Sequence, residues 1–213
     1  MMTCERQQGF TLLEVIIVLG VMGLLLGTAV PLAGAVVQAD RRAEASSELA
    51  DIADALDAYW FDKASFPSGL TDSDFLGVYL QPGPMNTATG DAFRNQPYVF
   101  SVSGGIATVY SVGENGVDDG ASNEELIVRI HAAVPGTRKT WMRLRWIVEL
   151  LAEHIEAGGS VAGSWPVVRA SIGLGASFDN DGWGNQMQWT AATHTLTSAG
   201  ADGVFGTGDD ITI

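Results

Sequence analysis

The chain has 213 residues, 46% of them apolar, which is enough for one large domain or two small ones. It carries 25 acidic residues against 11 basic ones, and this net charge of −14 repels phosphate backbones and excludes nucleic acid as a partner class. Its one cysteine, Cys4, excludes an internal disulfide and a multi-cysteine metal site.

Residues 1–9 (MMTCERQQG) are short and polar and include Arg6. From Phe10 to Val37 the chain is apolar and carries a single charge, Glu14. Spanning a bilayer takes about 20 apolar residues. As a helix rising about 1.5 Å per residue, this stretch would reach roughly 40 Å. It is therefore expected to span a membrane and project beyond it. An ordinary secretory signal has its small-residue cleavage site after the apolar core, whereas here Gly9 precedes it. The Ala-rich stretch 33–39 offers a weaker imitation of an ordinary site.

Glu14 is the sharpest feature of the span. A carboxylate in such a segment costs about 2.5–3.5 kcal/mol on insertion scales and usually has a partner. Nothing else in the span can pair with it. Cleavage after Gly9 would create an α-amino group at Phe10. Geometry within one straight helix is poor for that pair, so the expected arrangement joins Glu14 of one copy to Phe10 of another. Gly20, Gly23 and Gly27 fit close helix packing. Equally, glycine and Pro31 weaken the helix between them. Arg6 before the span and Arg41 and Arg42 after it leave orientation open on charge alone.

Gly9-Phe10-Thr11-Leu12-Leu13-Glu14-Val15 resembles the prepilin cleavage and methylation motif of type IV pilins and type II secretion pseudopilins. The resemblance implies that a membrane prepilin peptidase cuts after Gly9 and N-methylates Phe10. It implies assembly roles for Glu14 and for Pro31, which matches the family's helix proline. It also implies a single-pass bacterial inner-membrane protein with its head outside the cytoplasm. The implied partners are other pilins or pseudopilins, the peptidase and an inner-membrane assembly platform.

From Asp40 to Lys63, Leu49, Ile52, Ala53, Leu56, Tyr59 and Trp60 recur at helical steps, so the helix is expected to continue out of the span. Ser65-Phe66-Pro67-Ser68-Gly69 ends it. Ala55, Leu56, Tyr59, Asp62, Phe66 and Pro67 resemble the pseudopilin pattern at this point. Tyr98–Val102 and Ile106–Val112 flank Ser103-Gly104-Gly105 and read as a hairpin. Leu126 to His131 reads as a closing strand. The fold class expected is α+β, a long helix leading into a head with a small antiparallel sheet.

A second pass then begins. Residues 132–140, with Pro135 and Gly136, read as a linker between a first head (38–131) and a second (141–213). Trp141 to Ile155 is amphipathic, with Leu144, Ile147, Val148, Leu151 and Ile155 on one face. Trp165-Pro166 echoes Phe66-Pro67. Asp181-Gly182-Trp183-Gly184-Asn185-Gln186 echoes Asp91-Ala92-Phe93-Arg94-Asn95-Gln96, and Ser198 to Gly203 echoes Ser111 to Gly116. Acidic pairs follow both, Asp118-Asp119 and Asp209-Asp210. The repeated order of these features reads as an internal duplication.

Calcium takes six to eight oxygens from carboxylates and carbonyls. Asp202, Asp209 and Asp210 provide carboxylates on a loop that Gly203, Gly206 and Gly208 keep pliable. This segment resembles the C-terminal calcium loop of the major pseudopilins of type II secretion, through Gly200-Ala201-Asp202-Gly203 and the acidic pair. Asp181, Trp183, Gly184 and Asn185 resemble a further stretch of the same proteins. The resemblance implies one calcium in the second head. Asn115, Asp118 and Asp119 form a weaker first-half candidate, with Glu124 and Glu125 spaced differently. Asp179-Asn180-Asp181-Gly182 starts like an EF-hand, but Thr190 stands where that loop needs a bidentate Glu, so that reading is rejected.

No catalytic arrangement stands out. His131, His154 and His194 are isolated and have no metal-ligand spacing. There is no nucleophile elbow, and the Gly-rich loops lack the residues of a phosphate cradle. The expected function is a structural subunit of a type II secretion pseudopilus or related type IV filament, not an enzyme. The doubled head favours a minor or specialised subunit. The alternative is a monomeric membrane-tethered binding protein that uses the same export route.

Overall fold

The computed structural model describes residues 11–82, 90–93, 96–118, 120 and 126–213, excepting the side chains of 28–33. The leader, Gly9, Phe10, Asn95, Asp119, Glu124 and Glu125 lie outside the described residues, as does the side chain of Pro31. By contacts the chain divides into one unit ending at Glu44 and another running from Ala45 to Ile213.

Helix α1 runs from Leu12 to Lys63. Thr11 starts it: the Glu14 N–H donates to the Thr11 carbonyl at 3.1 Å and to its hydroxyl at 3.3 Å. Thr11 and Glu14 thus have the spacing of a capping box. In the first unit the apolar side chains are exposed all round the helix, from Leu12 (80%) to Leu24 (73%) and Leu26. A helix apolar on every side has no solvent face and suits an apolar surrounding. Among the described residues, no helix is long and apolar enough to cross a membrane.

In the second unit α1 buries Ala45, Leu49, Ile52, Leu56 and Tyr59, the expected helical stripe. Leu49, Ile52, Leu56 and Tyr59 pack with Phe75, Leu80, Tyr98, Ala107, Val109 and Ile130. Each fully buried Leu or Ile contributes about 1.5–3 kcal/mol. Helix α1 ends where Ala64 turns left-handed (φ 55°) and its N–H donates to the Trp60 carbonyl at 2.7 Å. Strands β1 (Val99–Ser103), β2 (Ile106–Tyr110) and β3 (Ile127–His131) form an antiparallel sheet in that order. Ser103 pairs with Ile106 across Gly104 and Gly105. Both glycines have positive φ, 57° and 74°, as a two-residue hairpin turn requires.

The segment 132–140 differs from the expected linker. Helix α2 spans Ala133–Glu156 and takes that segment as its first turns. Pro135 is tolerated there because the first N–H groups of a helix lack intrahelical acceptors. Gly136 is a packing residue: a Cβ on it would strike the Trp183 ring. Thr140 fixes the same approach. Its hydroxyl donates to the Gly136 carbonyl at 2.9 Å and accepts the Gly182 N–H at 2.8 Å. Arg138 pairs with Asp57 of α1 at 2.6 Å, and the Lys139 ammonium donates to the Phe61 carbonyl.

Helix α3 (Trp165–Ser171) begins at the Trp-Pro pair, with the proline in its first turn. Phe66-Pro67 begins no regular element, so the echo holds in sequence but not in local structure. A 3-10 turn (Ala176–Asp179) follows. Strands β4 (Gln188–Thr190), β5 (Thr195–Ser198) and β6 (Ile211–Thr212) then form a second antiparallel sheet in sequence order. A second core gathers Leu144, Ile147, Val161, Trp165, Val168, Met187 and Leu196. The architecture is α+β, a long N-terminal helix followed by small antiparallel sheets.

Candidate functional site

Of the processing and assembly residues, Glu14 is described, and it lies exposed in the first turn of α1. Its backbone takes the Thr11 cap, and an acid in a first helical turn is favoured by the helix dipole. That local role was not anticipated from the motif, although the Thr-x-x-Glu spacing carried the signal.

The loop from Gly200 to Asp210 joins β5 to β6. Its carboxylates do different work. Asp209 folds the loop: one oxygen accepts the N–H groups of Ala201 (2.7 Å) and Asp202 (3.2 Å), and the other accepts the Thr207 hydroxyl (2.6 Å). The Thr207 bond first, then the backbone donors, hold the Asp209 carboxyl below its usual range. Gly200 leaves room for it, since a Cβ there would collide with the Asp209 carboxylate. Asp202 accepts the Val204 N–H at 2.8 Å. Asp210 accepts the Gly206 N–H at 2.7 Å through one oxygen. Its other oxygen is buried and has no hydrogen-bond partner. Among the described residues, no three His, Cys, Asp or Glu side chains converge as a metal cluster.

Behind this loop lies an anchor. Asp181 is buried (1% exposed). Its carboxylate accepts the Ser198 hydroxyl at 2.6 Å and the N–H groups of Trp183 (3.0 Å) and Asn185 (2.8 Å). The Ser198 oxygen in turn accepts the Gly200 N–H at 3.1 Å, and the Asn185 amide donates to the Gly200 carbonyl at 3.2 Å. The Asp181 to Asn185 turn and the start of the acidic loop are thus one hydrogen-bonded body. Asp179, next to it, pairs with Arg169 at 2.7 Å, which leaves no EF-hand arrangement.

The first sheet carries a matching anchor. Asp91 is buried, accepts the Ser111 hydroxyl, and accepts the Phe93 N–H at 3.2 Å. The Ser111 oxygen accepts the Gly113 N–H at 3.0 Å. In the loop beyond, Asn115 accepts the Val117 N–H at 2.9 Å, and Asp118 accepts the Tyr110 hydroxyl at 2.8 Å and the Gly120 N–H at 3.0 Å. Both polar side chains therefore serve turns. The sequence pointed to these segments as an echo but not to the aspartates as buried anchors, because an Asp in a Gly-rich stretch reads as solvated.

A long N-terminal helix with exposed apolar side chains from Leu12 to Leu26, followed by small antiparallel sheets, is consistent with a pilin-like fold. Residues 5–30 match the family described as the prokaryotic N-terminal methylation motif. The chain is 30% identical over 136 residues to the type II secretion system core protein G of Klebsiella pneumoniae, covering 57% of this chain and 94% of that protein. It is 32% identical over 138 residues to the protein of the same name from Aeromonas hydrophila, covering 57% and 95%. With that of Pectobacterium carotovorum subsp. carotovorum, identity is 35% over 97 residues, covering 43% and 60%. No solved structure matches the chain. The chain belongs to the pseudopilin family of the type II secretion system core protein G.

Proposed function

We propose that the protein is a structural pilin-like subunit, cut by a prepilin peptidase after Gly9, N-methylated at Phe10 and anchored in the bacterial inner membrane by α1. It assembles with other pseudopilins through that helix on an inner-membrane platform, its head lying outside the cytoplasm. Glu14 offsets its cost in the membrane by pairing with the Phe10 amine of a neighbouring copy. Pro31 weakens α1 where the helix must adapt on assembly. The carrying observation is the methylation motif over residues 5–30, together with a helix from Leu12 whose apolar side chains are exposed as far as Leu26. The relatives' names, core proteins of a secretion system, support a structural role over an enzymatic one.

The head is read as a duplicated pseudopilin head. What supports this is the repeated Asp–Ser–Gly bonding, the repeated three-strand order, and matches that take in 94% or 95% of a relative while covering 57% of this chain. The second loop is read as a calcium site. Its donors are hard oxygens, and the orphaned Asp210 oxygen needs a positive partner. Asp202 and Asp210 would hold the ion, while Asp209 shapes the loop. Bound calcium would supply charge neutralisation and rigidity. Asn115, Asp118 and Asp119 are the weaker first-half counterpart.

The test is coexpression with a prepilin peptidase and pseudopilins of a type II system. Recovery of the chain in sheared filaments is expected. A detergent extract in which it remains solitary favours the tethered monomer instead.

A further inference from the structure

The inward-facing residues of the two long helices fall in one register. Leu144, Ile147 and Leu151 repeat the spacing of Leu49, Ile52 and Leu56, and buried Thr140 takes the place of buried Ala45. In that register the surfaces are opposites. Exposed Ser46, Ser47 and Ala50 of α1 correspond to Trp141, Met142 and Arg145 of α2. Trp141 is 51% exposed and Met142 59%. Together with Arg138, Arg145, Val148, Glu149 and Ile213 they line an open hollow of about 560 Å³. A Trp and a Met left this open on a helix face mark an interaction surface rather than a solvated one.

The charges say what fits there. From Ala133 to Ile147, α2 carries Arg138, Lys139, Arg143 and Arg145 and no acid. From Ala45 to Asp62, α1 carries Glu48, Asp51, Asp54, Asp57 and Asp62 and no base. Within one copy, among the described residues, Arg138 and Asp57 form the ion pair across these segments. The Arg145 side chain is 84% exposed, with a loose 3.6 Å contact to Glu149. Asp51 and Asp54 are exposed, and neither has an ion pair among the described residues.

We propose that the Trp141–Met142–Arg145 face of α2 docks on the Ser46–Asp54 face of α1 in a second copy of this chain. The small side chains of Ser46, Ser47 and Ala50 form a shelf that Trp141 and Met142 cover, and Arg145 faces Asp51 and Asp54. The contact is heterologous, so it repeats from copy to copy instead of closing on itself. It rests on the reading that copies of the chain stand side by side in an assembly. The second half of the head thereby grips the neighbouring copy.

The test is oxidative cross-linking of the full chain in membranes, with Cys4→Ser as background. Ser47→Cys combined with Met142→Cys is expected to give disulfide-linked multimers, and either substitution alone is expected to give none. Adding Arg145→Asp should cut the yield about tenfold through like-charge repulsion. Asp51→Arg with Asp54→Arg should restore it. Leu19→Cys, on the exposed apolar helix, reports separately whether copies associate at all. Cross-links at Leu19→Cys without any between positions 47 and 142 overturn the docking while leaving the assembly reading intact. Absence of both removes the two together. Met142→Cys linking to itself, or to a different protein, also overturns it.

Discussion

Asp91 and Asp181, each lying ahead of one of the two sheets in the chain, make matching bonds. Each accepts a buried serine hydroxyl, Ser111 or Ser198, and each accepts the N–H two residues on, Phe93 or Trp183. Each donates its own N–H to a carbonyl across the turn, Gln96 at 2.7 Å and Asn185 at 2.8 Å. Removing either carboxylate strands buried donors. Asp181→Ala is expected to cost about 3 kcal/mol and Asp181→Asn less, because unsatisfied buried groups each cost about 1–3 kcal/mol. Urea denaturation of the detergent-solubilised chain reads this. A loss under about 0.5 kcal/mol, typical of surface substitutions, would show that the anchor is not structural.

The close approach of α2 to the Asp181 turn gives a steric prediction. Gly136→Ala drives a methyl into the Trp183 ring and is expected to destabilise by about 1–3 kcal/mol. Gly175→Ala meets open space at an ordinary φ of −79° and should change stability by less than about 0.5 kcal/mol. Equal effects would place the helix start elsewhere.

Alkaline stability should depend on Tyr59. Its hydroxyl donates to Asp74 at 2.7 Å, and that bond, then burial and the Asp74 charge, push the phenol pKa from 10.0 up to about 12. A folded pKa above the unfolded one means that stability is fully present below about pH 10 and is lost as pH rises through about 12. Tyr79, bonded to Asp62 at 2.9 Å, is raised as well, so tyrosinate absorbance should show a late-titrating fraction that Tyr59→Phe reduces. A titration unchanged by that substitution would refute the assignment.

In the acidic loop, folding and the proposed cation binding rest on different carboxylates. Calcium is expected to raise the melting temperature, and Asp202→Ala or Asp210→Asn should remove most of the rise. Asp209→Asn should instead lower stability in the presence of chelator too, since Asp209 holds Ala201, Asp202 and Thr207. A melting temperature indifferent to chelator would rule out the site.

Much of this was legible in the sequence. Leu49, Ile52, Leu56 and Tyr59 announced the buried stripe of α1, and Gly104-Gly105 announced the hairpin turn, because helical periodicity and positive φ are local demands. The start of α2 was not legible. Pro135 and Gly136 read as breakers, and only the Trp183 ring, far along the chain, explains the glycine. Asp181 and Asp91 were hidden for the same reason: burial of a charge depends on partners brought in by the fold. In the acidic loop the sequence marked three carboxylates alike, while hydrogen bonding gives Asp209 a folding role and leaves Asp210 with the orphaned oxygen.

The processing proposed at Gly9-Phe10 would turn the chain into an assembling subunit. Mass spectrometry of the membrane-bound chain, expressed with a prepilin peptidase, tests it most directly. An N-terminus at N-methylated Phe10 is expected. A chain that still begins at Met1 would contradict it.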